Sequence, residues 1–270
     1  MDDITIQSQS PALLKSVLNN LISFFQSFGT AEAIESTEEG GIFRWHTGIS
    51  HPWFEGILVT RPAQIGDDLL IIETIQYFSN RQALPFTLWF SPEVDQSGWI
   101  KLLSQMDFHK TNETPGMARE LSNLPVTSGG PPGLSIQEID NLVDLYTWCT
   151  VFIEGYELPD TLLPALFNLL SGIGLHSSFR YYLGWLSRQV TATSLSFISE
   201  DVIGIYFVAT LPAYRRKGIG AAMTLEPLIV SRSPHIRLGV LQSSRMGFPV
   251  YKKLGFIHVG NLENYYWAGS

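Results

Sequence analysis

The chain has 270 residues, long for one domain and comfortable for two, and its 45% hydrophobic content can fill two ordinary cores, which excludes a disordered or fibrous protein. Its net charge of -8 is uneven: residues 1–125 carry 15 acids against 7 Lys and Arg, whereas 126–270 carry 10 of each, so the second half repels an anionic ligand least. An acidic chain without a basic face is a poor match to nucleic acid, whose phosphates need several neutralising cations.

In chain order, the first element is a helix. Ser10 stands as its N-cap, Pro11 opens the first turn, Leu14, Val17, Leu18, Leu21, Phe25 and Phe28 form one apolar stripe, and Gly29 closes it. Short or alternating apolar runs bounded by Gly, Pro and Asp predict strands at 42–46, 56–60, 69–74 and 86–90. A helix near 97–106 and a strand near 116–121 complete this half. His46 and His51 have no acid or cysteine at ligand spacing, and a lone Cys149 makes neither a disulfide nor a multi-cysteine site, so no metal is expected.

The stretch TSGGPPG, 127–133, denies continuity to helix and strand alike and is read as a linker between an N-terminal domain, 1–126, and a C-terminal domain, 134–270. After it, SIQE has the form of a capping box, with Ser135 and Glu138 opening a helix that carries Ile136, Ile139, Leu142, Val143, Tyr146 and Cys149. A second helix is expected from Asp160. The uncharged run at 162–179 is broken by Pro164, Asn168, two glycines and serines, and reads as a buried helix and turn, not a membrane span. MDDITIQ has neither basic start nor apolar run, so a cytoplasmic protein without a secretory signal is expected. From 180 onward RYYLGWLS, QVTATSLSFIS and VIGIYFVAT read as strands, the last central because it is apolar almost throughout. A helix at 218–231, a strand in IRLGVLQ, a helix in MGFPVYKKL and a strand in FIHVG follow. Pro227, inside the first of these helices, predicts a kink or an early end.

The segment YRRKGIG, Tyr214 to Gly220, sets three cations against two glycines between a strand and a helix. A helix N-terminus presents free amides and a positive dipole end, and glycines let a phosphate approach them. A Walker loop, GxxxxGK[ST], is absent. GIGAAM supplies only two of the glycines of a dinucleotide fold, and the next strand ends without an acid. RRKGIG does match RxxGxG. With IYFVATLP before it and SRMGFPVYKKLGF, Ser244 to Phe256, after it, the C-terminal half resembles the GCN5-related N-acetyltransferase (GNAT) family. The resemblance covers 180–267 well and 134–179 as two opening helices.

An echo joins the halves: LLSQMDF, ending at Phe108, and VYKKLGF, ending at Phe256, share a helix-to-strand junction 148 residues apart, which sets Leu103 opposite Tyr251. The resemblance therefore implies an α/β protein of two GNAT-like domains. Each is a mixed, mostly antiparallel twisted sheet flanked by helices; the C-terminal one has a splayed central strand pair, and the N-terminal one is a degenerate copy without the cofactor motif.

What the resemblance implies for chemistry is an N-acetyltransferase with acetyl-CoA as co-substrate, no metal, and a small-molecule or protein amine as acceptor; neither nucleic acid nor membrane is an expected partner. Phe207 and Val208 would meet the pantetheine arm where the strands open. Arg215, Arg216, Lys217, Gly218, Ile219, Gly220 and Ala221 would wrap the diphosphate. Ser244 stands where the family often has asparagine, which shortens or removes that contact. Tyr251 would be the general acid, since a phenol stays protonated at neutral pH and can donate toward a leaving thiolate. Glu154, Tyr156 and Glu157 would border the acceptor, in the loop between the two opening helices. Two alternatives stay open: a cofactor-binding sensor or scaffold without catalysis, and a transferase using a bulkier acyl donor.

Overall fold

The computed structural model describes residues 11–28, 35–81, 85–175 and 178–267. In chain order the elements are α1 (Pro11–Phe28), β1 (Glu35–Glu39), β2 (Ile42–His46), β3 (Gly56–Val59), α2 (Asp67–Asn80), β4 (Phe86–Phe90), α3 (Ser97–Leu103), β5 (His109–Glu120) and β6 (Leu134–Glu138). Then come α4 (Leu142–Tyr156), α5 (Leu163–Ile173), β7 (Phe179–Leu186), β8 (Gln189–Ser199), β9 (Val202–Thr210), α6 (Ile219–Val230), β10 (Leu238–Gln242), α7 (Phe248–Lys253) and β11 (Ile257–Trp267).

The compact units do not follow the expected boundary at 127–133. One holds the described residues up to Phe24 with Pro115–Gly260; the other holds Phe25–Thr114 with the described residues from Asn261 onward. The physical reason is hydrogen bonding. Gly116 to Glu120, before the linker, already pair antiparallel with β10, whereas Glu263 to Trp267 at the chain's far end pair antiparallel with β4. Each sheet thus takes one strand from beyond the other unit's last helix, a connection that no local sequence signal reports.

The larger unit is a six-stranded sheet in the order β5-β10-β9-β8-β7-β6, antiparallel except for β9 and β10. Its two faces follow from strand alternation. Ile203 and Ile205 of β9 meet Leu225 and Leu228 of α6, together with Leu241 and Phe256. On the other face Tyr206 stacks on Phe24 of α1 at 3.9 Å, and Phe207 packs against Phe152 of α4 at 5.0 Å. Asn20 of α1 is buried there, donating to Ser199 Oγ at 2.7 Å and accepting from Tyr206 Oη at 2.8 Å. Gly204 sits directly beneath Asn20, leaving the space that a side chain would fill.

The smaller unit repeats the plan with fewer parts: β1-β2-β3-β4-β11, with β3 and β4 parallel and α2 between them in the chain. Its core gathers Ile71 and Phe78 of α2 and Trp99 and Leu103 of α3 against Leu88 and Phe90. Glu55, fully buried, accepts from the Thr47 amide at 3.1 Å and lies 2.8 Å from His46 Nδ1, giving that histidine the acidic companion that sequence spacing does not show.

Four expectations change. Residues 69–74 belong to α2, not to a strand: a short apolar run such as LLII fits either, and Asp67 and Asp68 in the first turn with Ile71, Thr74 and Phe78 buried favour the helix. SIQE lies in β6, where Leu134 and Ile136 alternate with exposed Ser135 and Gln137 and pair with β7. The following helix starts at Leu142, capped by Asn141, whose Oδ1 accepts from Asp144 N at 2.9 Å. The helix expected at 97–106 stops at Leu103. Despite Pro227, α6 continues to Val230, so the early end does not occur. Ser10 and Gly29 lie outside the described residues.

Candidate active site

The site is built on the parting of two strands. β9 and β10 are paired from Val202 and Leu238 only as far as Gly204 and Val240, after which both strands run on unpaired with each other. On its other edge β9 carries a bulge: Thr193 of β8 faces Ala209 but Leu195 faces Tyr206, so β9 has one residue in excess, and Phe207 takes φ +53°. A bulge bends its strand and raises the local twist, which turns β9 away from β10. Phe207 O stays on the β8 side, accepting from Thr193 Oγ1 at 3.2 Å. Val208 O faces elsewhere and accepts from Tyr156 Oη at 3.0 Å.

Beyond β9 the chain turns through Pro212–Tyr214 into α6. Arg216 and Gly218 both take the left-handed conformation, at φ +63° and +83°. Gly218 is the N-cap of α6 and supplies no side-chain cap, so the amides of Ile219, Gly220 and Ala221 are those that a helix cannot satisfy internally. A Cβ on Gly218 would meet nothing within 4 Å, and one on Gly220 only Thr210 Oγ1 at 3.6 Å. That open cradle, with the dipole's positive end behind it, fits a phosphate. Ile219 contributes backbone only, because its side chain is buried with Tyr182, Ala192 and Met223.

The three cations divide. Arg215 is held by protein: its guanidinium donates to Thr210 O at 3.1 Å and Gly155 O at 2.7 Å and pairs with Glu157 at 3.0 Å. It therefore ties the end of α4 to the end of β9. Arg216 and Lys217 are exposed, the Lys217 Nζ standing 5.0 Å from the Tyr214 ring centre.

Glu154 and Tyr156 lie in the last turn of α4, and Glu157 is its left-handed C-cap at φ +56°, not members of an inter-helix loop. α4 comes this close to β9 because residue 155 is glycine: a Cβ there would sit 2.9 Å from Ala209 Cβ. Tyr156 is thereby delivered to Val208, Glu157 to Arg215, and Glu154 stays exposed. Ser244 is exposed and caps the turn into α7, its Oγ accepting from Gly247 N at 3.1 Å.

Tyr251, on α7, comes from the opposite face of the sheet and packs beside Leu225, Leu241 and Phe256. Burial pushes its phenol up to about 12, partly offset by the neighbouring Thr224 hydroxyl. Burial also raises Tyr156, and proximity to Tyr251 adds to that. Two protonated phenols thus converge on the opening from its two faces. Three participants escape sequence reasoning: Thr193, Gly155 and the structural use of Arg215, none of which carries a local signal.

The smaller unit shows the same loop without the site. Thr60-Arg61-Pro62-Ala63 leads from β3 as Thr210-Leu211-Pro212-Ala213 leads from β9, and Gly66, at φ +97°, caps α2 as Gly218 caps α6. Two residues fewer intervene, and the first helical residue is Asp67, whose carboxylate accepts from Gln64 N at 2.6 Å and from both terminal nitrogens of Arg61 at 2.7 and 2.8 Å. A carboxylate of the chain itself thus stands in the first turn of that helix, at the positive end of its dipole. β3 and β4 stay paired from Gly56 and Thr87 to Val59 and Phe90. At the next junction Phe108 N bonds back to Leu103 O at 3.3 Å as Phe256 N does to Tyr251 O at 3.0 Å, which puts a buried leucine where the larger unit has its phenol.

No protein-family model and no curated protein matches the sequence. Solved structures do match the fold. A GCN5-related N-acetyltransferase from Kribbella flavida is 15% identical with a TM-score of 0.66 over 93% of this chain and 96% of its own. A conserved protein of unknown function from Staphylococcus epidermidis is 12% identical with a TM-score of 0.68 over 87% and 93%. A tandem GNAT protein from the clavulanic acid biosynthesis pathway is 11% identical with a TM-score of 0.55 over 98% of both chains. The protein thus has a mixed α/β fold with a mostly antiparallel sheet flanked by helices. That fold is shared with these solved structures, among them a GCN5-related N-acetyltransferase and a tandem GNAT protein. Among the described residues no helix is long and apolar enough to cross a membrane, and no group of three or more His, Cys, Asp or Glu could hold a metal ion.

Proposed function

We propose that the larger unit is an acetyl-CoA-dependent N-acetyltransferase acting on a primary amine carried by a small molecule or a protein. The observation that carries this reading is the parting of β9 from β10 after Gly204 and Val240, directly before a glycine-capped helix N-terminus. A widened gap between parallel strands gives an amide-bearing chain room to lie along the Phe207–Val208 stretch of β9. The amides of Ile219, Gly220 and Ala221 then lie where a diphosphate would be held, with Gly218 giving it room and Arg216 and Lys217 adding charge.

Acetyl-CoA supplies an activated acetyl thioester. Tyr251 keeps its proton because burial holds its phenol far above neutral pH, so it donates to the departing sulfur. Arg215 supports the site from behind, through Thr210 O and Gly155 O, and Ser244 acts by shaping the turn that carries α7. Tyr156 and the exposed Glu154 border the acceptor side, while Glu157 is engaged by Arg215. The smaller unit is proposed to bind no coenzyme A, because Asp67 sets a negative charge at the head of its helix, its parallel strands are closed, and Leu103 replaces the phenol.

The test is thiol release from acetyl-CoA across a panel of amines, beside calorimetry with coenzyme A. Tyr251→Phe should keep coenzyme A binding and lose about 10²–10⁴-fold in turnover. Binding of coenzyme A with no thiol release from any amine would instead mark a cofactor-binding sensor.

A further inference from the structure

One polar group beside the opening is left without a partner. Gln242 is the last residue of β10, and its side-chain Nε2 is buried with no hydrogen-bond acceptor. Nearly all buried donors in folded proteins are paired, and an unpaired amide is a standing penalty that needs an explanation.

Its surroundings supply one. Gln242 pairs with Gly116 of β5 along one edge, but on the other edge β9 has already left, since the last pair between those strands is Val240 with Gly204. Leu241 packs with Leu228 and Phe256 on the α6 side, and a Cβ on Gly239 would meet Leu228 on that same side. Successive side chains of a strand point to opposite faces, so Gln242 points to the face bearing Phe207 and the end of α4, where Tyr156 reaches Val208. Tyr251 and the α6 cradle approach from the other face. The amide therefore lies across the strands from the groups assigned to coenzyme A.

We propose that Gln242 is a specificity-determining residue. Gln242 is half-buried as a whole, and a turn of its carboxamide lets Nε2 donate a hydrogen bond to an oxygen that the acceptor carries close to its amine, a hydroxyl, ether or carbonyl, so the acceptor is an oxygen-bearing amine and not a plain alkylamine. The proposal rests on the acetyl-transfer reading and deepens it. A site built around a donor discriminates against an analogue lacking the matching oxygen, because the donor then stays unpaired.

The experiment compares ethanolamine with propylamine, and 2-methoxyethylamine with butylamine, by thiol release from acetyl-CoA in wild type and in Gln242→Leu, taking the ratio of kcat/KM within each pair so that amine basicity cancels between proteins. Wild type should prefer the oxygenated member about tenfold more strongly than Gln242→Leu does, the worth of one hydrogen bond. Calorimetry with coenzyme A should not distinguish the two proteins, and without ligand Gln242→Leu should unfold at a higher temperature because the unpaired donor is gone. Equal selectivity in the two proteins, weakened coenzyme A binding in Gln242→Leu, or a lower unfolding temperature would each overturn the assignment. Absence of thiol release from every amine while coenzyme A still binds would overturn the acetyl-transfer reading and this one with it, whereas thiol release with unchanged selectivity overturns this one alone.

Discussion

Replacing Gly220 with aspartate would put at the head of α6 the kind of charge that the smaller unit already carries at the head of α2. In the ligand-free protein the change is mild. A Cβ at 220 meets only Thr210 Oγ1, at an ordinary contact distance of 3.6 Å, and an acid in the first turn of a helix contributes about 0.3–1 kcal/mol through the dipole. For a bound diphosphate it is severe. A phosphate held by that turn's amides would stand about 4 Å from the new carboxylate, and two unit charges at that separation repel by about 4 kcal/mol near a protein surface. That corresponds to roughly a thousandfold loss of coenzyme A affinity. Thermal unfolding without ligand and calorimetric titration with coenzyme A read the two effects separately: stability equal or slightly raised, binding abolished or nearly so, with part of the loss recovered at high salt. Coenzyme A bound within about threefold of wild type would refute the placement of the diphosphate. A marked loss of stability would refute the claim that the space is open.

Other expectations address the frame around the site. Gly204→Ala would drive a methyl into Asn20 and Tyr206 and should destabilise by about 1–3 kcal/mol, seen as a lower urea midpoint; an unchanged midpoint would mean that α1 does not pack there in solution. Burial raises the Glu55 carboxyl, so the folded protein holds that proton more tightly than the unfolded chain. The penalty of ionising it is absent below the usual carboxylate range and complete above the raised folded value. Glu55→Gln should therefore raise the unfolding temperature at neutral pH, by an amount that shrinks as pH falls through the carboxylate range; a variant less stable at neutral pH would show that the His46 and Thr47 contacts outweigh burial.

Local chemistry makes much of the larger unit legible in the chain itself. YRRKGIG between a near-continuous apolar strand and a mostly apolar helix, followed by VYKKLGF, states its own conformation: glycine must cap a left-handed turn, and the uninterrupted apolar runs mark the flanking elements. The strands from 180 onward and Tyr251 on its short helix are readable for the same reason, since each signal is complete within a short local window. The stretch at 69–74 misleads because consecutive apolar residues satisfy both periods, and SIQE misleads because a capping-box pattern and a period-two alternation overlap on the same letters.

What chain order cannot contain is anything that depends on two distant segments meeting. The exchange of β5 and β11 between the sheets turns on backbone hydrogen bonds, which carry no side-chain signature, so a Gly-Pro stretch resembles a boundary while the units divide elsewhere. Arg215 reads as a phosphate ligand until Gly155 O and Glu157 arrive from another helix and claim its guanidinium. Gln242 reads as nothing at all until β9 turns away and leaves its amide buried beside an opening, because burial without a partner is a property of the packed molecule and of no single residue.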